Sequence, residues 1–168
     1  MKKELLNILK DIKYGWVDKN GNVNIDNYEN FEKNYILQSP EEIKKNKVGI
    51  CWDQVEFIRD FFIKKGKKVK TYFLIYNEGV CPTHTFLTYE ENGKYYWVEH
   101  AWDLFSGIYE YNSEFELLID VRNKYIENEL PIDFKSDLLT IYEYEKPKFH
   151  ISVNEFIDFC INGKKIKI

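Results

Sequence analysis

The sequence is short of several things, and each shortage narrows what it encodes. Only three of its 168 residues are cysteines, Cys51, Cys81 and Cys160, an odd number with no Cys-x-x-Cys pair. A disulfide framework is therefore not expected, and a reducing compartment is. Arginine occurs only as Arg59 and Arg122, and the formal net charge is −4, so no nucleic-acid partner is expected. The short lysine runs at 44–47 and 64–70 read as solvated helix ends. No apolar run has the length of a membrane span, and Met1-Lys2-Lys3-Glu4 leads into an amphipathic stretch without the features of a signal peptide. The expectation is a cytoplasmic protein with no membrane partner. Phosphate-binding glycine motifs, internal repeats, low-complexity tracts and ligand-rich calcium loops are also missing, so no cofactor is expected.

What the chain does have is aromatic residues, 13 Tyr, 12 Phe and 4 Trp, enough to fill the core of one domain spanning residues 1–168. Its most informative stretch is Gly49-Ile50-Cys51-Trp52-Asp53-Gln54-Val55. Trp52, Val55, Ile58 and Phe62 recur at helical spacing and Lys64-Lys65-Gly66 follows, which predicts a helix starting at or near Cys51. A helix N-terminus favours an anion, here a thiolate. The competing reading is a small buried core cysteine.

A second stretch shifts that balance. Thr83-His84-Thr85-Phe86-Leu87-Thr88-Tyr89 and Lys94-Tyr95-Tyr96-Trp97-Val98-Glu99 flank Glu90-Glu91-Asn92-Gly93 and read as a β-hairpin. A four-residue loop places His84 opposite Glu99. A two-residue Asn-Gly turn places His84 opposite Ala101 and Glu99 opposite Phe86. In both registers His84 and Glu99 share a face, whereas an odd-length loop would bring His100 there. A thiol at a helix start, an imidazole on one strand and a carboxylate on the next are the groups that thiol acyl transfer needs.

With these residues in hand, the chain resembles the transglutaminase-like, papain-related superfamily, over about residues 35–110. Gly49-Ile50-Cys51, Thr83-His84-Thr85-Phe86 and Trp97-Val98-Glu99-His100-Ala101-Trp102 fall on its three motifs. The resemblance implies an α+β fold, with helices packed on an antiparallel sheet and the nucleophile at the N-terminus of a core helix. It implies a triad of Cys51, His84 and Glu99. Glu99 stands where the family usually has Asp, and His100 where a Pro often follows; Asp103 is the fallback carboxylate if the strand continues past Trp102. By analogy with the upstream glutamine of papain-like enzymes, Gln38 is a candidate oxyanion donor beside the Cys51 N–H, and Gln54 is a second. The implied partner is a peptide or protein amide. The acyl acceptor is water or an amine, with water favoured by the small size of the domain.

The flanks add packing elements. A helix is expected over residues 2–13, a hairpin or loop over 14–25, and helix or irregular structure over 27–37. Capping boxes at Ser39-Pro40-Glu41-Glu42, Ser113-Glu114-Phe115-Glu116 and Ser152-Val153-Asn154-Glu155 predict three helix starts. Val69–Tyr76 and Leu138–Tyr144 read as strands, Gly107-Ile108-Tyr109 as the end of the core motif, and residues 164–167 as a frayed tail. Cys160 reads as core and His150 as structural. A metal held by Cys81 and His84 with His100 or Cys51 is disfavoured, because no second closely spaced ligand pair exists. Two alternatives to catalysis remain: a peptide- or protein-binding module that keeps the fold, and a thiol regulated by oxidation.

Overall fold

A computed structural model describes residues 1–79 and 82–168 of the chain. The first helix, α1 (Lys2–Leu9), ends before the expected residue 13. The chain leaves it to pair with a later segment: Lys13 N–H donates to Lys47 O at 2.9 Å and Gly49 N–H to Lys13 O at 3.1 Å. These bonds form a parallel bridge between Lys13 and Val48. Trp16–Val17 (β1) and Val23–Asn24 (β2) follow as a small antiparallel hairpin. Gly15 is needed where the two features meet, since a Cβ there would lie 2.5 Å from Asn24 O and 2.7 Å from Val48 Cγ2.

A single helical turn, α2 (Phe31–Asn34), leads to α3 (Pro40–Asn46). Ser39 caps α3 with the full capping box, its Oγ accepting from Glu42 N–H and Glu42 Oε2 accepting from Ser39 N–H. Then come α4 (Cys51–Lys64), β3 (Val69–Tyr76), β4 (His84–Glu91) and β5 (Lys94–Glu99). A 3-10 turn at Asp103–Phe105 precedes β6 (Gly107–Tyr111) and α5 (Glu114–Glu129). The chain closes with β7 (Leu139–Tyr144), α6 (Val153–Ile161) and β8 (Lys164–Ile166).

Two expectations are corrected here. Gly107–Tyr109 begins a strand paired to β5, and residues 164–166 form an edge strand, Ile166 standing opposite Ile141, rather than a frayed tail. A third is refined. Ser113 caps α5 through its Oγ, but Glu116 Oε2 accepts from Asn112 N–H, so the box closes one residue early.

The fold is α+β. Six strands form one sheet in the order β6-β5-β4-β3-β7-β8, every neighbouring pair antiparallel, beside the two-stranded β1-β2 sheet. Alternation along the strands gives the large sheet two apolar faces. Phe73, Leu87, Tyr89, Val98 and Tyr144 pack with residues of α1, α4 and α6. Tyr72, Leu74, Phe86, Trp97 and Ile141 pack with Leu117, Leu118, Val121 and Tyr125 of α5.

A buried ion pair ties α4 to the sheet. Arg59 Nε lies 2.9 Å from Glu56 Oε2, and the same guanidinium donates to the Thr71 hydroxyl. Thr71 Oγ1 in turn donates to Tyr144 O at 2.7 Å. Among the described residues no helix is long and apolar enough to cross a membrane.

Candidate active site

Cys51 opens α4, and three features hold it there. Gly49 packs directly on the first turn, where a Cβ would lie 2.8 Å from Asp53 Cβ. Asp53, fully buried, accepts from Ile50 N–H at 3.0 Å, from Gln38 N–H at 2.9 Å and from the Tyr35 hydroxyl at 3.0 Å. Burial nonetheless pushes its pKa up to about 7, against the lowering effect of those bonds. The Lys13–Val48 bridge fastens the same segment from the other side. The sulfur is buried, 4.0 Å from Thr83 O, and Trp52 Nε1 donates to Thr83 Oγ1 at 3.2 Å. Thr83 thus locks the entry of β4 against the start of α4. The N–H groups of the first helical turn have no partner four residues back, and Cys51 stands at this positive end of the helix dipole.

His84 is the first residue of β4, and Glu99 the last of β5. The hairpin takes the two-residue turn: Glu91 pairs with Lys94, and Asn92 and Gly93 adopt φ of 53° and 72°. The register runs up to Leu87 opposite Val98, so His84 and Glu99 lie on a diagonal beyond the last pair. His84 Nε2 lies 2.8 Å from Glu99 Oε2. The other carboxylate oxygen, Oε1, accepts from the N–H groups of His100 and Trp102 at 2.8 and 2.9 Å. The His84 ring and the Cys51 thiol line the same cavity, near enough for the sulfur to act on the charge of the ring. Burial pulls its pKa down, but the Glu99 carboxylate and Cys51 outweigh that and push it up to about 10. Trp102 covers the imidazole, ring centroids 5.0 Å apart.

Cys51 and His84 open into a cavity of about 210 Å³ whose other walls include Tyr14, Thr83, Trp102, Tyr125 and Glu129. Tyr14 is the residue that sequence reasoning missed. The Lys13–Val48 bridge sets it beside Gly49. Desolvation and the nearby Cys51, Tyr28, Asp53 and Glu99 raise its pKa above the ordinary tyrosine value. Among the described residues its hydroxyl has no hydrogen-bond partner. Nothing local announces this position, because the contact depends on a backbone pairing 35 residues away in the chain (Lys13 to Val48).

The two glutamines are occupied elsewhere. Gln38 Nε2 donates to Val48 O and its Oε1 accepts from Asn46 Nδ2, each at 2.9 Å, and the side chain is not part of the cavity wall. Gln54 Nε2 donates to Gly49 O at 2.7 Å, and its Oε1 lies 2.7 Å from His100 Nδ1. Both brace the segment before Cys51. Asp103 is exposed in the 3-10 turn, because β5 stops at Glu99 and does not continue past Trp102. Cys81, considered as a metal ligand, lies outside the described residues. Cys160 is buried in the core, and His150 is bound to Glu42 at the surface. Among the described residues no group of three His, Cys, Asp or Glu side chains is placed to hold a metal.

Compared with protein-family models, with curated proteins and with solved structures, the chain matches none.

Proposed function

We propose that the chain is a thiol-dependent acyl-transfer enzyme of transglutaminase-like or papain-like type, acting on an amide. The observation that carries this reading is the placement of one imidazole, His84, between the Cys51 thiol and the Glu99 carboxylate, at the wall of a cavity. With Nε2 on Glu99, Nδ1 is the ring nitrogen left for the thiol. The bonds to Glu99 favour the charged ring, and we assign Cys51 and His84 the roles of thiolate and imidazolium in the reaction. The thiolate attacks the amide carbonyl carbon, and the C–O π pair moves onto oxygen. The Cys51 backbone N–H and the Tyr14 hydroxyl are the donors we assign to that oxyanion, both residues lining the cavity. As the tetrahedral species collapses, His84 gives its proton to the departing nitrogen, the C–N bond breaks and a thioester remains. Water or an amine then adds, losing a proton to His84, and the C–S bond breaks to release the acyl product and restore the pair. Throughout, Glu99 holds the ring and its charge.

The test is the pH dependence of Cys51 alkylation by iodoacetamide, in the wild type and in His84→Ala, with the labelled residue identified by mass spectrometry. Fast labelling at mildly acidic pH that is lost without His84 supports the pair. Labelling no faster than that of glutathione removes the catalytic reading, and the binding-module reading takes its place.

A further inference from the structure

Outside the catalytic groups, the cavity beside Cys51 is charged in one sense only. Among the described residues lining it, Glu129 is the one charged group apart from Cys51 and His84, and none is a lysine or arginine. Among the described residues the Glu129 carboxylate is paired with no cation. The rest of the wall is largely aromatic, with Tyr14, Trp102 and Tyr125 presenting rings. Rings attract cations through their negative faces. The catalytic groups add to this bias, since a thiolate, an imidazolium and the Glu99 carboxylate together leave a net negative charge.

A second cavity, of about 500 Å³, shares Glu129 and continues past it to Glu78, Asp133 and Lys135. Its one lysine is already held by Glu78, Nζ to Oε1 at 2.6 Å. The path leading away from the sulfur is therefore acidic over its described length. An acidic substrate side chain there would meet like charge, and an aliphatic one would strip water from Glu129 without replacing it.

We infer that the cavity beside Cys51 receives a basic side chain adjoining the reacting amide of a peptide, seated between Glu129 and the rings of Tyr14, Trp102 and Tyr125. This rests on the acyl-transfer reading above, and the two are separable by experiment. The probes are Nα-iodoacetyl derivatives of argininamide, leucinamide and glutamic acid α-amide. Each places a different side chain one residue from the electrophile. The rate of Cys51 labelling at pH 7 and low salt is measured for each probe and divided by the rate with glutathione, in the wild type and in Glu129→Gln.

The expected order is arginine over leucine over glutamate, with arginine favoured over glutamate about ten-fold, as for unit charges several ångströms apart near a protein surface. In Glu129→Gln that ratio should shrink at least about three-fold, the same Coulomb interaction being lost. Equal rates for the three probes, or a preference unchanged in Glu129→Gln, would overturn the inference. If His84-dependent labelling by iodoacetamide persisted in that case, the acyl-transfer reading would stand without it. Labelling of Cys51 no faster than glutathione by every reagent would overturn both.

Discussion

Glu99 reaches His84 across a diagonal, not across a rung. The strand pairing ends at Leu87 and Val98, yet Glu99 Oε2 comes within 2.8 Å of His84 Nε2 while Oε1 holds the N–H groups of His100 and Trp102. Diagonal neighbours stand farther apart than directly opposed ones, so the extra methylene of glutamate supplies reach here. Glu99→Asp should break one set of bonds or the other. We expect it to lower His84-dependent labelling of Cys51 about ten-fold at neutral pH, comparable to the loss of a charge-assisted bond of 1.5–3 kcal/mol. Glu99→Gln keeps the reach but not the charge, so its labelling profile should show the imidazolium titrating at lower pH. It should cost less than His84→Ala. A pH–rate profile for each variant checks this; an unchanged profile in Glu99→Gln would show that the carboxylate does not support the ring.

Tyr14 can be separated from Cys51 and His84 by choice of reagent. Alkylation by iodoacetamide generates no oxyanion, whereas acylation by p-nitrophenyl acetate does. In Tyr14→Phe the ratio of acylation to alkylation rate should fall about 100-fold, as for loss of one oxyanion donor. A ratio equal to that of the wild type would assign Tyr14 to the cavity wall alone.

The His84 pKa has a consequence for stability. The folded value, about 10, lies above the ordinary 6.5. The folded state therefore binds a proton that the unfolded state releases between those values. The stabilisation is complete below about pH 6.5 and is lost as pH rises toward about 10. In a Cys51→Ala background, where no thiol titrates beside the ring, the difference in Tm between the His84 and His84→Gln proteins, measured from pH 6 to 10, should shift steadily against the His84 protein. A difference independent of pH would mean that the ring is not charged in the folded protein.

Arg59 and Glu56 are both buried, and removing one leaves the other uncompensated. Arg59→Met should destabilise the fold by about 3–5 kcal/mol. The double variant Arg59→Met, Glu56→Leu should recover part of that loss, since neither charge is then stranded. Urea denaturation midpoints check both, and a double variant no better than the single would show that the Thr71 and Tyr144 contacts dominate.

The elements that position Cys51, His84 and Glu99 were legible because their signals are local. Val69–Tyr76 has a strand composition along its whole length, and Asn92-Gly93 carries the turn chemistry that the positive φ angles require. The Ser39 and Ser152 boxes announce α3 and α6. Hairpin parity alone placed His84 and Glu99 on one face, although the loop length stayed open between two choices. What stayed hidden depends on distant partners. Residues 164–166 have no strand signal of their own and become one only against β7. Glutamine offers the same amide to any neighbour, so Gln38 and Gln54 could not be assigned without Val48, Asn46 and His100 in place. Asp103 was considered because strands tend to continue, but the Glu99 side chain takes the N–H groups of His100 and Trp102 where β5 ends.

The walls of the cavity come from opposite ends of the described chain, Tyr14 before the thiol and Tyr125 and Glu129 well after the carboxylate. A ribosome delivers these parts in sequence. Cys51 emerges early with its helix, but the imidazole proposed to activate it, the strand that carries Glu99 and the helix that lines the cavity all emerge later. On the acyl-transfer proposal, a growing chain carries Cys51 without its partners until β4 and β5 have emerged and paired, because His84 and Glu99 stand on those strands. The proposed chemistry would then arrive with the completed sheet and not with the thiol itself.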